Sequence, residues 1–142
     1  MNLCPLCNRI SGSNGSFLEP IIEFKQSILF HGAHARFPGY CILVSKNCIK
    51  EWHDLLDDEA LEFGHELRTC SKAIAHAFQA DKINLASLGN VVPHLHWHII
   101  PRYKSDPSFQ IAPFALESEF SSFPLTHEYV QLVKEKLTIL KA

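Results

Sequence analysis

The sequence predicts an α+β domain with a mainly antiparallel sheet and helices on one side. Three observations carry this. Short apolar runs of strand length cluster before residue 45 and again between residues 83 and 101. Residues 57–79 hold apolar side chains at helical steps, and a second such stripe follows residue 126. The order is strands, long helix, strands, helix.

The elements follow in order. Residues 8–16 (NRISGSNGS) are polar and glycine-rich and read as a loop. Ile21–Phe24 and Ser27–Phe30 are β-like runs separated by Lys25 and Gln26. Residues 31–39 (HGAHARFPG) form a loop closing on a Pro-Gly turn, and Tyr40–Val44 is an apolar strand. The long helix opens on Asp57, Asp58 and Glu59, where its dipole favours negative charge. Phe63, Leu67, Cys70, Ile74 and Phe78 make its apolar stripe, and it is about six turns long. Ile83–Leu85 is a strand. A turn at Ser87–Asn90 leads to Val91–Pro101, mostly strand. Residues 104–124 are irregular, broken by prolines and serines. Thr126 caps a final helix with Glu128 in its first turn and Tyr129, Val133, Leu137 and Leu140 as its stripe.

The chain has 142 residues, a length that suits one domain spanning 1–142. A segment bearing a cysteine pair (1–16) opens it, and an irregular segment plus helix (104–142) closes it. Such a domain buries roughly 68–70% of its unfolded surface and needs no disulfide staples. Lys plus Arg number 13 and Asp plus Glu 15, a formal charge of −2. That field does not suit the backbone of polymeric DNA or RNA, though a small nucleotide fits. No apolar run approaches the ~20 residues of a membrane span, and the N-terminus lacks a secretory pattern. Five cysteines cannot all pair, which points to a reducing, cytoplasmic setting. Cys41 and Cys70 sit in apolar patterns as buried thiols, whereas Cys4 and Cys7 have metal-pair spacing.

Pro93-His94-Leu95-His96-Trp97-His98-Ile99-Ile100-Pro101-Arg102 is the most informative stretch. On a strand, alternation puts His94, His96 and His98 on one face. It puts Leu95, Trp97 and Ile99 on the other, beneath the long helix, with Trp97 buried and His96 accessible. In a chain with nine histidines this spacing arises by chance at a rate of roughly 0.035, so its setting matters as much as the spacing. Three chemistries fit: a solvated His-rich strand, a His₃ zinc site of the open catalytic type, or an imidazole nucleophile acting on phosphorus. Asn84, Ser87, Gly89 and Asn90 arrive just upstream with amides, a hydroxyl and a flexible glycine suited to phosphate oxygens. No carboxylate lies between Ile83 and Arg102, which favours phosphoryl chemistry over a metal hydrolase.

His94-Leu-His96-Trp-His98-Ile-Ile resembles the motif of the histidine triad (HIT) family, His-φ-His-φ-His-φ-φ with φ apolar. The resemblance runs from the cysteine pair to about Asp106, and NLASLGNVVPHLHWHIIPRYKSDP looks like a bacterial branch. It implies a HIT-like fold and nucleotidyl hydrolysis or transfer at an α-phosphorus. The nucleophile's role falls on His96. Phosphate contact and leaving-group assistance fall on His98, and orientation of the cluster, metal ligation, or both fall on His94. Asn84 and Asn90, with Ser87 and Gly89, take phosphate-pocket positions. By the same resemblance Cys4, Cys7, Cys48 and His94 form a structural zinc site, no organic cofactor is used, and the chain pairs as a homodimer. The implied partner is a small nucleotide of adenine or purine type, as a dinucleoside polyphosphate or a nucleoside phosphoramidate.

Two departures stand out. Tyr40 occupies a position where many members carry a fourth histidine, and Gly32 one where many carry a ribose-holding Asp or Asn. His31 and His34 lie close enough in sequence to substitute. The departures also suit an alternative, a non-catalytic nucleotide-binding module. Arg102 is a candidate to neutralise phosphate or pair with a carboxylate. Phe24, Phe30 and Phe37 are candidates to line a nucleobase cleft. Trp52 and Trp97 read as packing residues, and His53, His65, His76 and His127 as solvated.

Overall fold

The computed structural model describes residues 4–12 and 20–141. Its elements are α1 (Pro5–Ser11), β1 (Ile22–Glu23), β2 (Ser27–His31), β3 (Cys41–Ser45), α2 (Asp57–Ala77), β4 (Lys82–Ala86), β5 (His96–Arg102) and α3 (His127–Lys136). Short 3₁₀ turns lie at Trp52–Asp54, Pro113–Ser122 and Thr138–Lys141. Among the described residues the strands form one sheet in the order β1-β2-β3-β5-β4, with every pairing antiparallel. The α+β fold with an antiparallel sheet is therefore the one the sequence predicts.

One face of the sheet carries Leu29, Cys41, Leu43 and Ile99 beneath Phe63, Leu67, Cys70 and Ile74 of α2 and Val133 of α3. The predicted stripe of α2 is thus the buried one. The helix stops at Ala77, because Gln79 turns to φ 51°, a left-handed conformation no helix continues through. Thr126 caps α3 by accepting from the Tyr129 N–H at 3.1 Å.

The opposite face is also covered, which patterning did not predict. Ile28, Phe30, Ile42, Val44 and Ile100 pack under Leu6 of α1 and Leu116, with Phe114 and Phe120 alongside. Every residue of β2 and β3 is buried. That explains their continuous apolar runs, since a strand covered on both faces has no reason to alternate. The stretch read as irregular supplies this cover through the 3₁₀ turns at Pro113–Ser122. Arg36 fastens it, donating to Glu119 at 2.6 Å and to Asp106 at 2.7 and 3.3 Å.

Several boundaries differ from expectation. Residues 8–11 belong to α1 rather than a loop, because Pro5 starts the helix and Cys4 caps it; residues 13–16 lie outside the described residues. β1 is two residues long. The third strand begins at Cys41, because the Tyr40 N–H is held in the Pro-Gly turn by the Phe37 carbonyl at 3.0 Å. Gly39 makes that turn at φ +92° against the Phe78 ring, where a side chain would be both strained and crowded. The last strand begins at His96 and not Val91. Ahead of it, Leu95 bonds Ile49 and Ser45 in an irregular crossing.

Candidate active site

β5 lies between β3 and β4, with Ile42 opposite His98 and Val44 opposite His96. Its interior position fixes the strand on both edges, so the two imidazoles are carried by a rigid element. Their ring centroids are 5.0 Å apart in an edge-to-face arrangement. Trp97 points to the helix face, where Trp52 meets it edge-on at 5.8 Å. It is half-buried rather than fully buried, because Trp52 is itself exposed and covers only part of the indole.

Each ring of the triad has one nitrogen committed to a fixed partner. His94 Nε2 lies 2.7 Å from the Ser45 carbonyl oxygen, and His96 Nδ1 lies 2.6 Å from the His94 carbonyl oxygen. A carbonyl can only accept, so both nitrogens carry the proton. His94 Nδ1 and His96 Nε2 are left with lone pairs. His98 Nδ1 instead lies 2.7 Å from the Tyr40 hydroxyl. Burial, with His96 and His34 nearby, holds the His98 imidazole down to about 4, so it is neutral near pH 7.

His94 does not stand beside the other two as strand alternation predicted. It precedes β5, is fully buried, and turns Nδ1 toward Cys4 Sγ at 3.4 Å and Cys7 Sγ at 3.5 Å. Cys4 and Cys7 are brought there by one turn of α1, in which Cys4 Sγ caps the helix by accepting from the Cys7 N–H at 3.5 Å. Burial works against the Cys4 thiolate, but hydrogen bonds from Cys7, Leu6 and Cys48 together hold the thiol below its ordinary value. Exposed Cys48 completes a set whose donor atoms all lie within 4.8 Å of one another. A tetrahedral Zn²⁺ with two thiolates and an imidazole has S···N edges of about 3.5 Å. The spacing, the soft donors and the free Nδ1 lone pair fit that ion, and the Ser45 carbonyl orients the ring as an outer partner does. Among the described residues, the His94, His96 and His98 rings form no such converging set.

The upstream residues divide. Ser87 and Gly89 line a cleft of about 480 Å³ together with His96, Leu95 and Trp52, and the Ser87 hydroxyl donates to the His96 carbonyl at 2.9 Å. Asn84 lies on β4 in a second cleft of about 720 Å³ with Arg102 and Phe114. Its Oδ1 accepts from Arg102 at 2.9 Å. Arg102 also donates to the carbonyls of Ser108 and Ile111, so among the described residues it has no carboxylate ion pair, and it is buried rather than on the open surface. Asn90 is exposed and lines neither cleft.

Other candidates are corrected by burial. Phe30 and Phe37 are core residues, and Phe24 packs on the helix-side core. His31 and His34 are buried, His34 stacking on Phe120 at 3.9 Å, so neither is presented to a ligand. His53, His65, His76 and His127 are exposed as expected. The residue that sequence reasoning undervalued is Tyr40. It appeared only as a departure, yet it is the hydrogen-bond partner of His98.

Residues 19–105 match the family model of the HIT domain, well over half of the chain, and the chain belongs to that family. A histidine triad protein from Marinobacter aquaeolei VT8 has the same fold at a TM-score of 0.79, with 28% identity, over 98% of this chain and 96% of that one. One from Sinorhizobium meliloti 1021 aligns at 0.75 and 25% identity, over 84% and 87%. Among curated proteins, the chain is 29% identical over 87 residues to a bis(5'-nucleosyl)-tetraphosphatase (asymmetrical) of Schizosaccharomyces pombe. That is 58% of this chain and 48% of the relative. It is 36% identical over 73 residues to a bis(5'-adenosyl)-triphosphatase of Saccharomyces cerevisiae, covering 47% and 35%. The chain thus spans half or less of these two curated relatives. Among the described residues, no helix is long and apolar enough to cross a membrane.

Proposed function

We propose that this chain hydrolyses or transfers nucleotidyl groups, with His96 Nε2 attacking an α-phosphorus. The observation that carries the reading is the 2.6 Å contact from His96 Nδ1 to the His94 carbonyl. It fixes the tautomer that leaves a lone pair on Nε2, and it supports the positive charge the ring acquires when that lone pair bonds phosphorus. The P–O bond to the leaving group breaks and its electron pair departs on oxygen. Water then attacks phosphorus, the P–N pair returns to Nε2, and a proton passes to solvent. His98 contacts the phosphate and the leaving group. Ser87 and Gly89, beside His96, are the phosphate-side groups the geometry favours. Asn84, held by Arg102, and exposed Asn90 are the weaker ones. The names of the two yeast relatives support a small dinucleoside polyphosphate as substrate, and the adenosyl group in the second name supports a purine base.

Cys4, Cys7, Cys48 and His94 would hold a structural Zn²⁺. When bound it supplies a cross-link between α1 and the approach to β5, with no open position for chemistry. We also infer a cytoplasmic homodimer. β4 ends the sheet with Leu85 exposed, and Leu88 and Val91 follow it into solvent.

The test is a panel of dinucleoside polyphosphates and nucleoside phosphoramidates, quenched early and read by intact-protein mass spectrometry. A nucleotidyl adduct on the wild type and none on His96→Ala is the expected result. Binding of the panel without adduct or turnover would replace this reading with a nucleotide-binding module.

A further inference from the structure

Tyr40 and His98 form a pair that the proposed chemistry leaves without an assigned consequence. Tyr40 is 4% exposed, and its ring lies directly over Gly32, where an added Cβ would sit 2.2 Å from Tyr40 Cδ2. His34 closes it in at 5.0 Å between ring centroids. The phenol therefore has one place to be. Among the described residues, its hydroxyl has His98 Nδ1 as hydrogen-bond partner. A buried hydroxyl carries one proton that needs an acceptor, and a ring Nδ1–H would leave that proton stranded. So Tyr40 donates, Nδ1 accepts, and the His98 proton sits on Nε2. Burial acts the same way on both partners, lifting the Tyr40 phenol above its ordinary value and keeping His98 neutral.

This arrangement lets His98 Nε2–H donate a hydrogen bond but not give its proton away. Giving it away would leave an imidazolate. Drawing the Tyr40 proton onto Nδ1 to compensate would leave a buried phenolate. Charging the ring beforehand would require a proton on Nδ1, where the Tyr40 O–H already points. His96 and His34, the titratable rings nearest His98, both disfavour that extra charge, and Phe114 packs edge-on at 4.9 Å with no acceptor to offer.

Leaving groups divide on this point. When a phosphoanhydride is attacked, Nε2–P forms, P–O breaks, and the electron pair leaves on a phosphate oxygen that is stable as an anion. A hydrogen bond suffices. When a phosphoramidate is attacked, P–N breaks, and nitrogen cannot leave as an amide anion. It must receive a proton as the bond breaks. We propose that the Tyr40–His98 pair makes this chain selective for phosphoanhydride over phosphoramidate leaving groups, with Tyr40 as the positioning residue. The proposal rests on the nucleotidyl-His96 reading.

The experiment compares kcat/KM for diadenosine triphosphate and for adenosine 5'-phosphate joined to an alkylamine through a P–N bond. Wild-type protein is expected to favour the anhydride by about 100-fold or more, the scale of a missing general acid. Tyr40→Phe frees Nδ1 and is expected to narrow that ratio by about tenfold. Long-range ¹⁵N–¹H NMR of histidine-labelled protein is expected to show His98 protonated on Nε2 in the wild type and a mixture of tautomers in Tyr40→Phe. Adduct formation at similar rates from both substrates, or a wild-type His98 protonated on Nδ1, overturns the proposal while leaving the His96 chemistry standing. Adduct from neither substrate overturns the underlying reading instead. If Tyr40→Phe fails to fold, the wild-type ratio and spectrum decide alone.

Discussion

His94 and His98 stand four residues apart on the same run of chain, yet their surroundings give them opposite chemistry. At His94 the backbone carbonyl of Ser45 accepts a hydrogen bond from Nε2–H, and the ring presents its Nδ1 lone pair to two thiols. At His98 the Tyr40 hydroxyl donates a hydrogen bond to Nδ1, so that the ring presents its Nε2–H to the site. His96 between them is held by a carbonyl, as His94 is, but through the other nitrogen. The identity of a histidine says little until the partner of its committed nitrogen is known, because that partner selects which atom is free and whether it gives or takes.

The sharpest way to break the contrast is at His96. His96→Ala is expected to abolish the covalent adduct and lower turnover by roughly 10³–10⁶, since no other lone pair is aimed at the same place. Retained adduct, located by peptide mapping to His94 or His98, would erase the distinction among the three rings.

The next effect separates the His94 end from the rest. Cys4→Ser is expected to lower bound zinc from about one per chain. Losing ~2–3 kcal/mol of cross-linking would lower Tm by roughly 5–10 °C for a chain of this size. Adduct formation should suffer less than zinc content does. Metal analysis of untagged protein and a thermal melt check this. Full zinc occupancy in Cys4→Ser would remove that thiol from the site.

A third effect is shared by two imidazoles, buried His31 and half-buried His98, and appears only with acid. Burial holds both His31 and His98 down to about 4, against 6.5 in the unfolded chain. The unfolded chain therefore binds more protons between those values. The stability these groups contribute is complete above pH 6.5 and declines as pH falls toward about 4. Arg9 and Lys134 press His31 the same way, and His96 and His34 press His98. Urea midpoints measured at pH 7.5 and pH 5 should drop across that interval. His31→Gln should flatten the dependence in part. An unchanged midpoint would mean the rings are already charged or solvated.

The smallest expected effect lies far from the histidines and serves as their control. Thr126→Ala removes the cap of α3 and should cost ~1 kcal/mol, leaving adduct formation and zinc content alone.

How much of this was legible beforehand follows from what periodicity reports. The stripe on α2 and the alternation of Trp97 and His98 are local patterns, and the sequence displays them. The covered second face is not local. Phe114, Leu116 and Phe120 have no period, and their packing depends on Arg36 reaching Asp106 and Glu119 across the chain. His94 misled for a related reason. Strand alternation assigned it a face, but the strand starts two residues later, and a turn of helix at the other end of the chain claims its ring. The convergence of Cys4, Cys7, Cys48 and His94 is expected from the family resemblance alone, because nothing in the spacing of Cys7 and Cys48 says they meet. Asn84 lost its freedom to Arg102, a partner on the neighbouring strand that a linear reading does not pair with it.

The seating of Tyr40 over Gly32 joins two positions that look independent in the sequence. A side chain added at 32 alone runs into the phenol ring, and a smaller ring placed at 40 alone leaves a hole above the glycine. Either single step loses packing that the double step keeps. The two sites are therefore a ratchet. A search for altered specificity that samples one position at a time will record side chains at 32 and small residues at 40 as poorly tolerated, whereas changing the two together keeps their packing.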